Sequence, residues 1–252
     1  MGQPTVFDRC FQYGDGVFTT IKVLNGQLQF WSLHWQRLVH SCERLGIQIP
    51  LESLVLSAAQ QAISQPNQVV KVVVSRGIGG RGYSTQGIEN SEFYILTSAL
   101  PAPSPTSIRL GVATLQLGIQ PRLAGIKHCS RLETVMLKSE AEHSGFDDLV
   151  VTDSEGFVIE CTAANLFFYD QGQWHTPALD RAGVAGIMRS NILQQIGIQP
   201  GHYPLAVLAK AEAMFLCNAL IGIRPVHQFQ STPVDVALVH QLQSLLRLEE
   251  RE

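Results

Sequence analysis

Three prolines crowd the stretch PAPSPT, residues 101–106: Pro101, Pro103 and Pro105. Proline has a fixed φ and no amide hydrogen, so such a stretch neither continues a helix nor pairs inside a sheet. The 252-residue chain is therefore expected to divide there, into a small N-terminal domain of residues 1–105 and a larger domain of residues 106–252.

Both parts mix periods, which predicts an α+β fold. In the first, VFTTIKVLNGQLQFW reads as two strands turning at Asn25-Gly26, a strong two-residue hairpin signal. SLHWQRLVHSCERLGI then changes to helical spacing: Leu38, Cys42 and Leu45 share a face, Ser32 is placed to cap the start, and Gly46 to end it. LESLVLSAAQQAI predicts a second helix, and the β-branched runs QVVKVVVSR and EFYILTSAL predict buried strands. Beyond the prolines, IRLGVATLQL, DDLVVTD, FVIECT and NLFFYDQGQWHT are strand-like, with helices expected from Arg131 to His143, after Gly186, and in VDVALVHQLQSLLRL.

Charge narrows the partners. With 18 basic and 21 acidic residues, a net charge of -3 and no run of like charge, the chain lacks the footprint of a nucleic-acid or membrane-surface protein, and a small-molecule substrate is favoured. No apolar run approaches the ~20 residues of a membrane span, and the N-terminal MGQPTVFDRC lacks the pattern of a secretory or myristoylation signal. Five scattered cysteines with no C-x-x-C pair suggest neither a disulfide framework nor a zinc knuckle, and point to a reducing, cytoplasmic setting. The eight histidines offer no metal-binding spacing.

Four stretches bear on chemistry. GIGGRG, residues 77–82, matches a dinucleotide fingerprint, but YSTQGIENS after it has no helical period to receive a pyrophosphate. A nucleotide-binding module is thus a remote alternative, and a flexible loop presenting Arg81 and Tyr83 fits better. Lys127 follows the small apolar run Leu123-Ala124-Gly125-Ile126. Its amine is either carried out to water on its stem or held dry, in the form that makes Schiff bases with carbonyls. Glu160 stands where an apolar strand enters a turn, as a strand-end surface charge or a placed carboxylate. In AGVAGIMRSN, Gly183 and Gly186 precede a helix whose first amides, at Ile187 and Met188, suit an anion, although glycines serve plain turns too. Amine, carboxylate and anion cradle together are what pyridoxal 5'-phosphate requires.

Seven collinear segments, DRCFQYGDGVFTTIKV, LHWQRLVHSCERLGI, SRGIGGRGYST, LAGIKHCSRLET, IECTAANLFF, AGVAGIMR and LCNALIGIRPV, resemble the fold-type IV pyridoxal-phosphate enzymes, and among them the 4-amino-4-deoxychorismate lyases. The resemblance implies a small α/β domain, a larger β-rich pseudobarrel domain, a cofactor at the domain interface, and a homodimer. It implies Lys127 as the cofactor lysine, Glu160 at the pyridine nitrogen, and Arg37 at the phosphate with the Ile187 and Met188 amides and Asn218. Arg81 and Tyr83 match the position where relatives grip a substrate carboxylate. D-amino-acid and branched-chain aminotransferases of the same family are the alternative. They commonly carry a glutamate after the aromatic residue of the GDGVFTT segment, where this chain has Thr19-Thr20 as the lyases do.

Overall fold

A computed structural model describes residues 5–102 and 105–248. The N-terminal tetrapeptide and residues 103–104 of the proline stretch lie outside it. Two compact units emerge. The first comprises residues up to Ala102 together with Ile126–Arg131, and the second comprises residues from Pro103 to Gly125 and from Leu132 onward. Residues 126–131, Lys127 among them, belong to the first unit.

The first unit begins with a short helix, α1 (Arg9–Tyr13), capped by the Asp8 carboxylate on the Cys10 amide. Strand β1 (Gly16–Leu24) turns at Asn25-Gly26 into β2 (Gln27–Leu28), with Val23 opposite Leu28. Asn25 and Gly26 both have positive φ, 50° and 80°, as a tight hairpin turn demands. Helix α2 (Trp31–Leu45) ends at Gly46 in the left-handed conformation, as read from the sequence, but it starts differently. Its cap is Phe30, also left-handed, with no side-chain bond, and Ser32 lies inside the first turn, where its hydroxyl accepts from Gln36. Helix α3 (Glu52–Gln61) and strands β3 (Gln68–Ser75) and β4 (Glu92–Ser98) complete an antiparallel sheet of order β2-β1-β3-β4.

Alternation along β1 turns Val17, Thr19, Ile21 and Val23 inward. The three apolar members pack with Leu38 and Cys42 of α2, Val55 and Ala59 of α3, and Val70, Val72 and Val74 of β3. Ile126 joins this core and is fully buried, which ties the residues just before Lys127 to the first unit. At ~1.5–3 kcal/mol for each buried branched side chain, the apolar set supplies most of what holds the sheet and helices together.

The second unit is built on a mixed sheet of order β7-β6-β5-β11-β10-β8-β9, with a short strand added to β11. Its strands are β5 (Ile108–Val112), β6 (Asp148–Thr152), β7 (Val158–Cys161), β8 (Asn165–Asp170), β9 (Gln173–His175), β10 (Ala213–Asn218), β11 (Gly222–Phe229) and β12 (Thr232–Pro233). Helix α4 (Leu132–His143) packs on β6, α5 (Ile187–Ile196) on β10, and α6 (Ala237–Leu245) on β10 and β11. β6 and β8 are buried along four consecutive residues, the signature of strands covered on both faces. Val150 belongs to one core with Leu166, Phe168 and Met214, while Leu149 and Val151 belong to another with Leu137 and Ile159. Among the described residues no helix is long and apolar enough to cross a membrane.

Candidate active site

Residues 127–129 run as an antiparallel neighbour of β1. The Phe18 amide donates to the Lys127 carbonyl (2.9 Å), the Cys129 amide donates to the Gly16 carbonyl (2.8 Å), and Val17 bridges His128. Arg131 fastens the segment from its far side, donating to the carbonyls of His128 (2.8 Å) and Ile126 (3.1 Å). Lys127 is half-buried, and its Nζ lies 4.8 Å from the centroid of the Phe18 ring, where a cation gains from the ring face. Its amine is therefore placed against a wall rather than carried freely into water. Burial, followed by the like charge of Arg131, holds the His128 imidazole down to about 4.

Next to this lysine is a group the sequence did not disclose. Thr19, on the core-facing register of β1, meets two residues one turn apart on α2: its hydroxyl accepts from Arg37 Nη2 and lies 2.5 Å from His34 Nδ1. Burial first, and then the charges of Arg37 and Lys127, push His34 well below its ordinary range, so it stays neutral. Its Nε2 is buried without a hydrogen-bond partner among the described residues, which costs stability. Arg37 is lowered to about 10 by burial and by Arg131, and remains charged at neutral pH. Arg37, Lys127 and Arg131 thus concentrate positive charge beside a neutral imidazole. The spacing in HWQRL hinted at it, since His34 and Arg37 fall one turn apart, but Thr19 is remote in sequence.

The glycine loop anchors at α1. Buried Arg9 donates to the carbonyls of Gly82 (3.0 Å), Tyr83 (3.2 Å) and Ser84 (3.2 Å), and its Nε pairs with Asp15 at 2.8 Å. Arg76 holds the same Asp15 oxygen and also caps α2 through the carbonyls of Leu45 and Gly46. Burial opposes the Asp15 charge, yet hydrogen bonds from Arg76 and Arg9 outweigh it and leave the pKa lowered. Arg81 and Tyr83 stand exposed on this tied loop, with the Tyr83 ring edge-on to Tyr13 at 5.2 Å. No helix follows the glycines, and β3 leads through the loop to its antiparallel neighbour β4. The nucleotide-fingerprint alternative lacks its helix and falls.

In the second unit Glu160 is the third residue of β7, and its Oε2 accepts from the Val184 amide at 3.0 Å and from Asn165 Nδ2 at 3.4 Å. Asn165 Nδ2 also donates to the Val184 carbonyl at 2.9 Å. The carboxylate is thereby oriented by backbone and amide. Both glycines of AGVAG are needed. Gly183 has φ 81°, and a Cβ there would meet Ile159 at 2.6 Å. Gly186 is the N-cap of α5 and makes no side-chain cap bond to the first turn, whose residues Ile187 and Met188 are buried. Arg189, buried in the next position, donates to the Pro177 carbonyl at 2.8 Å.

Asn218 is the last residue of β10. Its oxygen accepts from the amides of Leu220 and Ile221, and its nitrogen donates to the Ala163 carbonyl. The bonds to Leu220 and Ile221 close the turn between β10 and β11, and the bond to Ala163 ties that turn to the loop before β8.

The first unit offers Lys127 and Arg37, and the second offers Glu160 and the first turn of α5, residue types that fit pyridoxal phosphate. The amino-transferase class IV family model matches residues 16–229, and the chain belongs to that family. It is 39% identical over 229 residues to an aminodeoxychorismate lyase of Vibrio harveyi, covering 87% of this chain and 84% of the relative. The structure of 4-amino-4-deoxychorismate lyase from Pseudomonas aeruginosa superposes with a TM-score of 0.88 at 33% identity, over 97% of this chain and 94% of that one. A D-alanine aminotransferase of Listeria monocytogenes is 24% identical over 239 residues, covering 90% of this chain and 82% of the relative.

Proposed function

We propose that this chain is a pyridoxal-phosphate-dependent lyase that converts 4-amino-4-deoxychorismate to 4-aminobenzoate and pyruvate. The observation that carries this reading is the likeness to aminodeoxychorismate lyases over most of both chains, closer than the likeness to D-alanine aminotransferase. When bound, the cofactor supplies an aldehyde that captures amines and a cationic ring that accepts electrons.

The chain's own residues have separate tasks in this reading. Arg37, held by Thr19, and the first amides of α5 at Ile187 and Met188 bind the phosphate. Glu160 accepts a hydrogen bond from the pyridine nitrogen and keeps it protonated, since an opposite charge favours the charged form. Lys127 would hold the cofactor through Nζ, and that amine, once the substrate's amine has displaced it, would take the proton from the substrate carbon that bears the amino group. Loss of the enolpyruvyl group as pyruvate then aromatises the substrate ring. Arg81 and Tyr83 grip the substrate carboxylate. Their exposure supports a homodimer in which that loop serves a partner subunit, and the five free cysteines support a cytoplasmic setting.

A second reading, amino transfer to a 2-oxo acid, is favoured by the family model itself. Supplying aminodeoxychorismate, and separately D-alanine with 2-oxoglutarate, separates the two. Formation of 4-aminobenzoate with pyruvate from the first supports the lyase. Pyruvate from the second alone overturns it.

A further inference from the structure

Two of the cysteines are not scattered. Cys10 of α1 and Cys129 of the Lys127 segment lie against the same residue of β1. Both flank Gly16. A Cβ on that glycine would sit 3.0 Å from the Cys10 sulfur, and the Cys129 amide is bonded to its carbonyl. Neighbouring contacts fix both backbones: the Cys10 amide is held by Asp8, the Ser130 hydroxyl donates to the Tyr13 carbonyl, and Gly14 lies too close to Ser130 to admit a Cβ. Both thiols are partly accessible, whereas Cys42, Cys161 and Cys217 are buried.

We propose that Cys10 and Cys129 are an oxidation site at which a hydroperoxide closes an intramolecular disulfide, clamping α1 to the segment that carries Lys127. Cys129 is the attacking sulfur. The neighbouring Cys10, and then the charges of Lys71 and Arg131, lower its pKa, whereas Cys10 is raised. Thiolate character governs such reactivity. The Cys129 sulfur attacks one peroxide oxygen, the O–O bond breaks, and the departing hydroxide takes a proton to become water. Cys10 then gives up its proton and attacks the oxidised sulfur, the S–S bond forms, and the S–O bond breaks to release a second water. Two thiols lose two electrons in all, and one hydrogen peroxide is reduced to two waters. The three buried cysteines are internal controls, since burial raises each of their pKa values. Such a bond in a reducing compartment is transient and responsive rather than structural.

The test uses the full-length protein with equimolar hydrogen peroxide, followed by peptide mapping without reductant and by thiol counting. The expected result is loss of two thiols per chain, one linked peptide pair joining Cys10 to Cys129, and reversal by dithiothreitol. In Cys10→Ser the link is absent and Cys129 stops at the sulfenic acid, which dimedone traps. If Cys10→Ser does not fold, mapping of the unaltered protein alone decides. Five unreacted thiols, or oxidation spread over the buried cysteines, overturns the proposal. None of these readouts depends on which reaction the protein catalyses.

Discussion

Gly186 stands so close to Asn165 that a methyl group on it would lie 2.1 Å from the amide oxygen. The backbone at Gly186 has φ -72° and ψ 146°, which any residue adopts, so the glycine is required by space alone. Asn165 cannot simply turn aside, because its nitrogen donates to the Val184 carbonyl and reaches Glu160. One absent side chain therefore makes room for Asn165, which reaches Glu160 and the Val184 carbonyl just before the start of α5.

Gly186→Ala should destabilise the fold by about 1–3 kcal/mol, the cost of overpacking a full site, and loosen cofactor binding. Urea unfolding and cofactor titration measure the two effects. Asn165→Ala in the same chain should relieve part of the first, a non-additive result expected of touching residues. Strict additivity would show that the two side chains do not compete for this space.

Arg37→Ala should weaken binding of pyridoxal phosphate to the apoprotein about 10- to 100-fold, the range for losing a charged hydrogen bond worth about 1.5–3 kcal/mol. Thr19→Val keeps the shape and the charge of Arg37 but removes the hydroxyl that holds it, so a smaller loss is expected. Titration followed by absorbance gives both values. Equal affinity in Arg37→Ala and the unaltered protein removes Arg37 from the phosphate.

Glu160→Gln should retain the cofactor and slow turnover by about tenfold or more, equivalent to at least ~1.4 kcal/mol in the barrier. The backbone amide of Val184 can still bond to the neutral oxygen, so the loss reports charge rather than collapse. Steady-state rates at saturating cofactor test this, and an unchanged rate refutes the charge argument.

Stability should decline as pH falls from about 6.5 toward 4. His34 is held well below its usual pKa by burial and then by Arg37 and Lys127, and His128 is held to about 4 by burial and then by Arg131. Unfolded histidines titrate near 6.5, so in this window the unfolded chain binds protons that the folded chain refuses. Each histidine gives a slope of at most about 1.4 kcal/mol per pH unit. Denaturant midpoints across this range measure the decline, and His128→Gln should flatten it. A flat profile in the unaltered protein contradicts the assignment.

Local signals in the sequence translated well where chain chemistry decides. Asn25-Gly26 turned as read because only such residues accept two successive positive φ angles, and Gly46 stopped α2 for the same reason. Ser32 did not cap, because Phe30 enters the helix from a left-handed turn and the helix begins two residues earlier than a Ser32 cap would place it. α1 was invisible, since five residues carry no readable period. Lys127, Glu160 and the AGVAG helix start were legible as chemistry, whereas the groups that orient them were not. Thr19 reaches Arg37 across 18 residues, and Arg9 reaches the glycine loop across more than 70. Pairings of that kind are set by strand register and helix docking, which composition and motif do not encode. Asn218 shows the converse, a motif residue whose polar groups serve its own hairpin.

The central claim is that the Lys127 amine is the attachment point of the cofactor. Borohydride reduction of the holoprotein, followed by digestion and peptide mapping, tests it directly. The account predicts one pyridoxyl-labelled peptide, modified at Lys127, and no label in Lys127→Ala. Label on another lysine, or a fully reduced holoprotein with no label on any peptide, would contradict it.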